Sequence, residues 1–125
     1  MDPLVILYSL VGPFLLWPLE YFLPYPYIIE ELFKVFVVKF TNSNAKSYIL
    51  AGILFALTET ILYSFNINLF GRIGLFFVRF IATSLLHSIT FLIIYKMSQK
   101  KNGIIFGFLI SALIHFLYNR YIPIY

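Results

Sequence analysis

The segment LFFVRFIATSLLHSITFLIIY, residues 75–95, decides the fold class of this chain. It is apolar over about the 20 residues that an α-helix needs to cross the hydrocarbon core of a bilayer. Arg79 and His87 are its ionisable residues, although a charge at the centre of a bilayer costs roughly 2.5–3.5 kcal/mol. We therefore predict a transmembrane helix whose polar side chains serve a function.

The rest of the chain has the same apolar character. Of its 125 residues, 62% are hydrophobic and 11% are charged, and the mean hydropathy is +0.93, which excludes an ordinary soluble domain. At about 20 residues per crossing, this length allows four or five transmembrane helices and no separate soluble domain. We predict a single integral-membrane domain, residues 1–125, with an all-α fold: a polytopic membrane helix bundle of four to five helices.

Proline, asparagine, serine and glycine separate five apolar segments, with a turn around Asn66-Ile67-Asn68 and Gly71 before the fourth. Because Met1-Asp2 lacks the basic start of a secretory signal, we expect the first segment to be retained as a helix. The second is too short for a comfortable crossing and carries the pair Glu30-Glu31. The predicted helices are Pro3 to Phe22, Tyr27 to Phe40, Ser47 to about Phe65, roughly Leu75 to Tyr95, and Ile104 to Ile122.

The basic residues indicate membrane topology rather than nucleic-acid binding, because they cap helices and form no stripe. If all five segments cross, five lysines lie on one side of the membrane and two arginines on the other. This distribution favours a cytoplasmic N-terminus. The first side receives Lys39, Lys46, Lys96, Lys100 and Lys101, and the other receives Arg72 and Arg120.

Several chemistries are excluded or disfavoured by composition. The chain has no cysteine, which excludes disulfides, thiolate metal ligands and a cysteine nucleophile. Asp2 is the one aspartate, so an intramembrane aspartyl dyad is excluded too. Ser84, Ser88 and Ser111 lie near histidines but lack the glycine-flanked setting that exposes a serine nucleophile. The candidate chemistry therefore rests on glutamates and histidines.

The first candidate site is Glu30-Glu31 in the sequence EELFK. On a helix, Lys34 lies one turn from both carboxylates, so that one glutamate can be ion-paired while its neighbour stays free. A free carboxylate beside a paired one is suited to act as a general base or acid. Alternatively, the two glutamates complement the positive end of an interfacial helix and Lys34 is their surface partner.

Glu59 lies in the third apolar segment, with Phe55 and Tyr63 on the same helical face. No basic residue lies within reach along this helix, so we expect its partner to be another helix, a metal or a proton. With the topology above, Glu59, Glu30-Glu31 and the two histidines fall at similar depths. We therefore expect the five groups to converge in the outer half of the bilayer.

The two histidines lie on polar faces of the last two apolar segments. His87 shares a face with Arg79 and two threonines, and His115 shares one with Asn119 at i+4. A single buried histidine is more often structural than catalytic. Two of them with glutamates on separate helices instead suggest a site where the amide of Asn119 orients a group or holds a substrate carbonyl.

Neutral imidazoles and a carboxylate are the ligands of a catalytic zinc, and a further glutamate then serves as the base. The two histidines and one of the glutamates fit this requirement, so we expect zinc as a candidate cofactor. No HExxH motif is present, so a metal-free glutamate mechanism stays open.

Four ordered motifs resemble the PrsW family of intramembrane proteases, within the CAAX-protease and bacteriocin-processing superfamily. They are EELFK at residues 30–34, GILFALTETILY at 52–63, RFIATSLLHSIT at 79–90 and ALIHFLYN at 112–119. The resemblance implies an intramembrane endopeptidase, a hydrolase of the metalloprotease type, in the cytoplasmic membrane of a prokaryote, with a membrane-anchored protein as substrate. Two features favour PrsW over the prenyl-protein proteases. One is the position of the lysine in EELFK, and the other is the glutamate, Glu59, in the second motif.

By that resemblance Glu30 activates the attacking water with support from Glu31 and Lys34, although Glu31 is an almost equal candidate for the base. Asn119 stabilises the oxyanion, and Glu59, His87 and His115 bind metal or hold water. Two alternatives remain: a non-catalytic membrane scaffold of the same superfamily, and a small proton-coupled transporter. So short a chain is also a candidate for a homodimer within the lipid bilayer, although it has no GxxxG face.

Overall fold

The computed structural model describes residues 2–67 and 72–122, and this part of the chain is an all-α bundle. The predicted helices are confirmed, with ends that move by at most a few residues. The predicted turn is wrong for Asn66 and Ile67, which are the last residues of the third helix, and its residues Asn68 and Gly71 lie outside the described ranges. The helices are α1 (Pro3–Phe22), α2 (Pro26–Phe40), α3 (Ala45–Ile67), α4 (Ile73–Ser98) and α5 (Gly103–Tyr121).

Local sequence signals explain where these helices begin. The Asp2 carboxylate accepts a 2.9 Å hydrogen bond from the Leu4 backbone N–H and so caps α1. Proline occupies the first turn of both α1 and α2, where its missing N–H costs no helical hydrogen bond. Asn102 adopts the left-handed conformation, φ 58°, in the tight turn between α4 and α5.

Four helices, α1, α3, α4 and α5, are long and apolar enough to cross a membrane. The chain is therefore a membrane-embedded bundle. Helix α2 has 15 residues, or roughly 22 Å at 1.5 Å per residue, which falls short of the hydrocarbon thickness of about 30 Å. The expected short helix with Glu30-Glu31 is thus present, and it packs against α1, α4 and α5.

The bundle places apolar side chains outside and many of its polar side chains inside, as a lipid environment favours. Large leucine, isoleucine and phenylalanine side chains cover the exposed faces of the helices. A compact apolar core around Val37, Phe55, Phe91 and Ile94 lies beside buried threonines, glutamates and histidines. Helices α3 and α4 approach closely at Gly52, where a Cβ would overlap the backbone of Ser88. This close approach brings the polar face of α4 against Glu59 of α3.

Candidate active site: a buried cluster of glutamates and histidines

Helix α2 contributes the central ion pair of the cluster. Glu31 and Lys34 are fully buried, and Lys34 Nζ donates a 2.6 Å hydrogen bond to Glu31 Oε1. Lys34 Nζ also donates to Thr90 Oγ1 at 2.7 Å and lies 2.9 Å from His87 Nδ1. The three protons of the ammonium group therefore have three partners. The prediction that Lys34 pairs with one glutamate of Glu30-Glu31 is confirmed, and the paired glutamate is Glu31.

The contact with Lys34 fixes the orientation of His87 on α4. Because a lysine ammonium only donates hydrogen bonds, His87 Nδ1 is the acceptor and the ring proton lies on Nε2. His87 Nε2 is 2.5 Å from Glu59 Oε2 and donates to it. A continuous hydrogen-bonded chain thus runs from Glu31 through Lys34 and His87 to Glu59. It joins α2, α4 and α3.

Glu59 also receives a hydrogen bond from Arg79, whose Nη2 lies 3.4 Å from Glu59 Oε1. The guanidinium carbon of Arg79 stacks on Tyr63, 3.8 Å from the ring centroid, a cation–π arrangement. Both partners of Glu59, Arg79 and His87, belong to α4. Of the three kinds of partner that the sequence left open for Glu59, another helix, a metal or a proton, the structure supplies another helix.

Helix α5 completes the cluster with His115. Its Nδ1 is 2.8 Å from Glu31 Oε1, and its Nε2 is 3.8 Å from Glu30 Oε2. The rings of His115 and His87 lie edge to face with centroids 5.5 Å apart. The structure thus brings together all five ionisable groups that were expected to converge.

The residues placed to bind a metal differ from the expected set, since Glu30 takes the place of Glu59. Glu30, His87 and His115 each present a ligand atom within 4.8 Å of the others, whereas Glu59 is hydrogen-bonded to His87. Two imidazoles and a carboxylate match the ligands of catalytic zinc. Glu30 Oε2 is buried without a hydrogen-bond partner among the described residues, so it is available to a cation. Any metal role of Glu59 stays a prediction.

A cavity of about 140 Å³ opens beside these groups. It is large enough for several water molecules, since one water needs at least about 10–15 Å³ of such space. Asn119 is exposed at its wall and lines the same cavity as His115, as their shared helical face predicts. Glu31 and Lys34 are not among its lining residues. The lining comprises Pro26, Glu30, Glu59, Tyr63, Arg79, Thr83, Leu86, His115, Tyr118, Asn119 and Ile122.

Sequence reasoning missed Glu20, a fourth carboxylate near the cluster. Glu20 lies near the end of α1, is half-buried, and lines a smaller cavity of about 10 Å³ together with Glu30 and Glu59. It is the one charged residue between Pro3 and Phe22, which is a signal that could have identified it.

These features define a membrane-embedded helix bundle with a polar cavity and a buried cluster of glutamates and histidines. Comparison with known proteins found no family model that matches the chain, and no similar curated protein or solved structure. The resemblance to PrsW therefore rests on the four motifs alone.

Proposed function

We propose that this protein is an intramembrane endopeptidase that hydrolyses a peptide bond of a membrane-anchored protein. The observation that carries the proposal is the position of Glu30. Its side chain is 9% exposed, its Oε2 has no hydrogen-bond partner among the described residues, and it lines a cavity large enough for water. A largely buried carboxylate at the wall of a cavity that can hold water is suited to accept a proton from a water molecule there.

The two adjacent glutamates have different surroundings, and this difference supports Glu30 as the base. Glu31 Oε1 accepts hydrogen bonds from Lys34 and from His115, and Glu31 does not line the cavity. Glu31 therefore acts as a positioning residue: it holds His115 through Nδ1 and leaves Nε2 directed toward Glu30. Lys34 holds Glu31 in the orientation that this requires.

The cavity wall offers groups for the remaining steps of hydrolysis. Glu30 takes a proton from water, and the resulting hydroxide adds to the carbonyl carbon of the scissile bond. The amide of Asn119 and the guanidinium of Arg79, both at this wall, are donors that stabilise the negative charge on the carbonyl oxygen. The protonated Glu30 then returns the proton to the leaving amine, so that water is consumed and the C–N bond breaks.

Zinc is the proposed cofactor, which would be held by His115 and His87 together with Glu30 or Glu59. Both ring nitrogens of His87 are hydrogen-bonded, to Lys34 and to Glu59, so a bound ion would replace one of these contacts. Among the described residues near the cavity, four carboxylates from Glu20, Glu30, Glu31 and Glu59 face two permanent cations, Lys34 and Arg79. This excess of negative charge favours a bound cation or protons. A bound zinc ion would supply Lewis-acid activation of water and of the carbonyl. If Glu30 binds zinc, Glu59 at the same cavity is the alternative base.

The cellular setting is also a proposal. The lysines at one end of the bundle favour a cytoplasmic N-terminus, and the motifs that resemble PrsW favour the cytoplasmic membrane of a prokaryote. With this orientation, the cavity opens in the outer half of the bilayer, where the anchor of a membrane protein is accessible. The chain then acts on a bond close to the outer membrane surface.

The proposal is tested with the purified chain in liposomes, together with a library of synthetic membrane-spanning peptides of about 20 apolar residues. Mass spectrometry identifies cleavage products. We expect cleavage by the wild type and its loss, by at least about 100-fold, in Glu30→Gln. If the folded wild type cleaves no peptide, and a partner protein that binds the wild type no longer binds the mutant, the scaffold would be favoured. Proton flux abolished by Glu59→Gln, without cleavage, would favour the transporter.

A further inference from the structure

An apolar groove runs between α4 and α5 beside the cavity. It has a volume of about 440 Å³, within the usual size range of ligand pockets. Three of its residues, Leu86, Tyr118 and Ile122, also line the polar cavity that contains Glu30. The groove therefore adjoins the candidate active site. The remaining lining residues are Ala82, Leu85, Ile89, Ile114, Leu117 and Tyr121.

Tyr118 lies where the groove meets the cavity. Its hydroxyl is buried and has no hydrogen-bond partner among the described residues. A buried hydroxyl without a partner is unfavourable, so this position favours an occupant that offers a hydrogen-bond acceptor. The acyl chain of a lipid has no acceptor, whereas a peptide backbone has one carbonyl per residue.

The scissile bond must leave its helical hydrogen bonds before water can reach its carbonyl carbon. Carbonyl groups next to an unwound bond lose their N–H partners, and in lipid such groups must be satisfied by the protein. A phenolic hydroxyl at the junction of an apolar groove and a polar cavity provides a donor at the place where the chain would unwind. The apolar groove accommodates the part of the chain that stays in the membrane.

We propose that the α4–α5 groove binds the apolar anchor segment of the substrate, and that the Tyr118 hydroxyl donates a hydrogen bond to a backbone carbonyl beside the scissile bond. This inference rests on the proposed function and adds the entry route and a substrate-binding residue. Tyr118 lies between His115 and Asn119 on α5, so the helix that positions the substrate also contributes two of the polar groups of the cavity wall.

Docking is tested separately from hydrolysis in the Glu30→Gln protein reconstituted in liposomes. A benzophenone side chain replaces Ile89 or Leu117 in the groove, or Leu109 on an exposed face of α5 that does not line the groove. The probe is a synthetic Leu/Ala-rich membrane-spanning peptide of about 20 residues. We expect photo-crosslinks to the peptide at Ile89 and Leu117 that exceed those at Leu109 by at least about fivefold. Equal crosslinking at all three positions, or crosslinking to lipid alone, would overturn the inference.

The two proposals fail in different ways in this experiment. Groove-specific crosslinks with no peptide hydrolysis by the wild type would retain the docking site and contradict the proposed protease. Hydrolysis by the wild type with no preference for groove positions would retain the protease and contradict the docking site.

The role of the hydroxyl is tested by Tyr118→Phe, which keeps the ring, compared with Tyr121→Phe at the exposed end of the groove. Loss of one hydrogen bond to bound substrate predicts a KM that rises about three- to tenfold with kcat nearly unchanged. Tyr121→Phe is expected to leave both constants within about twofold. An unchanged KM in Tyr118→Phe would contradict the assignment.

Discussion

Lys34 Nζ lies 2.6 Å from Glu31 Oε1, and both side chains are fully buried. This ion pair within α2 is also the point where α2 is joined to α4, since the same ammonium group contacts His87 and Thr90. The spacing of three residues between Glu31 and Lys34 in EELFK therefore has a structural reason. It lets Lys34 contact Glu31 within α2 and His87 of α4 at the same time. The free neighbour, Glu30, is left to face the cavity.

Replacing Lys34 by methionine is expected to destabilise the bundle by about 3–5 kcal/mol, because the buried Glu31 carboxylate loses its compensating charge. Lys39→Met is the matched control, since Lys39 is an exposed lysine on the same helix. Thermal unfolding in detergent, followed by circular dichroism, measures both. Equal midpoints for Lys34→Met and Lys39→Met would show that the buried ion pair does not stabilise the fold.

Substitution of the two adjacent glutamates is expected to have different effects: Glu31→Gln lowers stability, whereas Glu30→Gln lowers activity and leaves stability nearly unchanged. Glu31→Gln leaves the buried Lys34 ammonium without its counter-charge and should lower the free energy of unfolding by about 3–5 kcal/mol. Glu30→Gln should unfold at nearly the wild-type temperature, because Glu30 Oε2 has no hydrogen-bond partner among the described residues. Unfolding midpoints measured in parallel decide this. A larger loss of stability in Glu30→Gln than in Glu31→Gln would reverse the roles assigned to them.

The close approach of α3 to α4 is expected to tolerate no side chain at Gly52. A Cβ there overlaps backbone atoms of Ser88, so Gly52→Ala should cost about 1–3 kcal/mol by forcing the helices apart. Gly74→Ala is the control, since a Cβ at Gly74 meets nothing within 4 Å. The midpoint temperatures of thermal unfolding are compared for Gly52→Ala and Gly74→Ala. Equal effects would mean that the two helices can separate without penalty.

Zinc binding is expected to depend on His115 and not on Asn119, although both residues line the cavity. Protein purified in detergent without chelator should contain near-stoichiometric zinc, measured by mass spectrometry of the metal. His115→Ala should lose most of it, because it removes one imidazole of the group formed with Glu30 and His87. Asn119→Ala should retain the metal and lose hydrolysis. If well-folded wild type stays metal-free after zinc is supplied, the zinc site is contradicted and the metal-free glutamate mechanism is favoured.

Most of the fold could be predicted from hydropathy and turn residues. Helices α1, α3, α4 and α5 are long apolar segments with proline, glycine or asparagine near their ends. Such segments are easily recognised by hydropathy, because their outer faces contact lipid. The short length of α2 was also predictable, because Pro26 and Thr41 limit its extent. The sequence further selected Glu59, His87 and His115, since ionisable residues in apolar segments are rare.

The arrangement of these residues could not be predicted, because it depends on how helices rotate and approach one another. Helical spacing left both glutamates of the Glu30-Glu31 pair within reach of Lys34, and only packing against α4 and α5 decides that Glu31 is its partner. The same packing groups Glu30 with the histidines. Glu20 and Tyr118 were missed because an interfacial glutamate and a tyrosine are common in membrane helices.

The most direct test of the central claim is hydrolysis in water enriched in the heavy oxygen isotope, with the wild type and Glu30→Gln compared on the same membrane-spanning peptide. The account predicts that the wild type releases a fragment whose new carboxyl group carries the heavy oxygen, and that Glu30→Gln, equally folded, releases none. Labelled product formed by Glu30→Gln at the wild-type rate would contradict the assignment of Glu30 as the group that activates water.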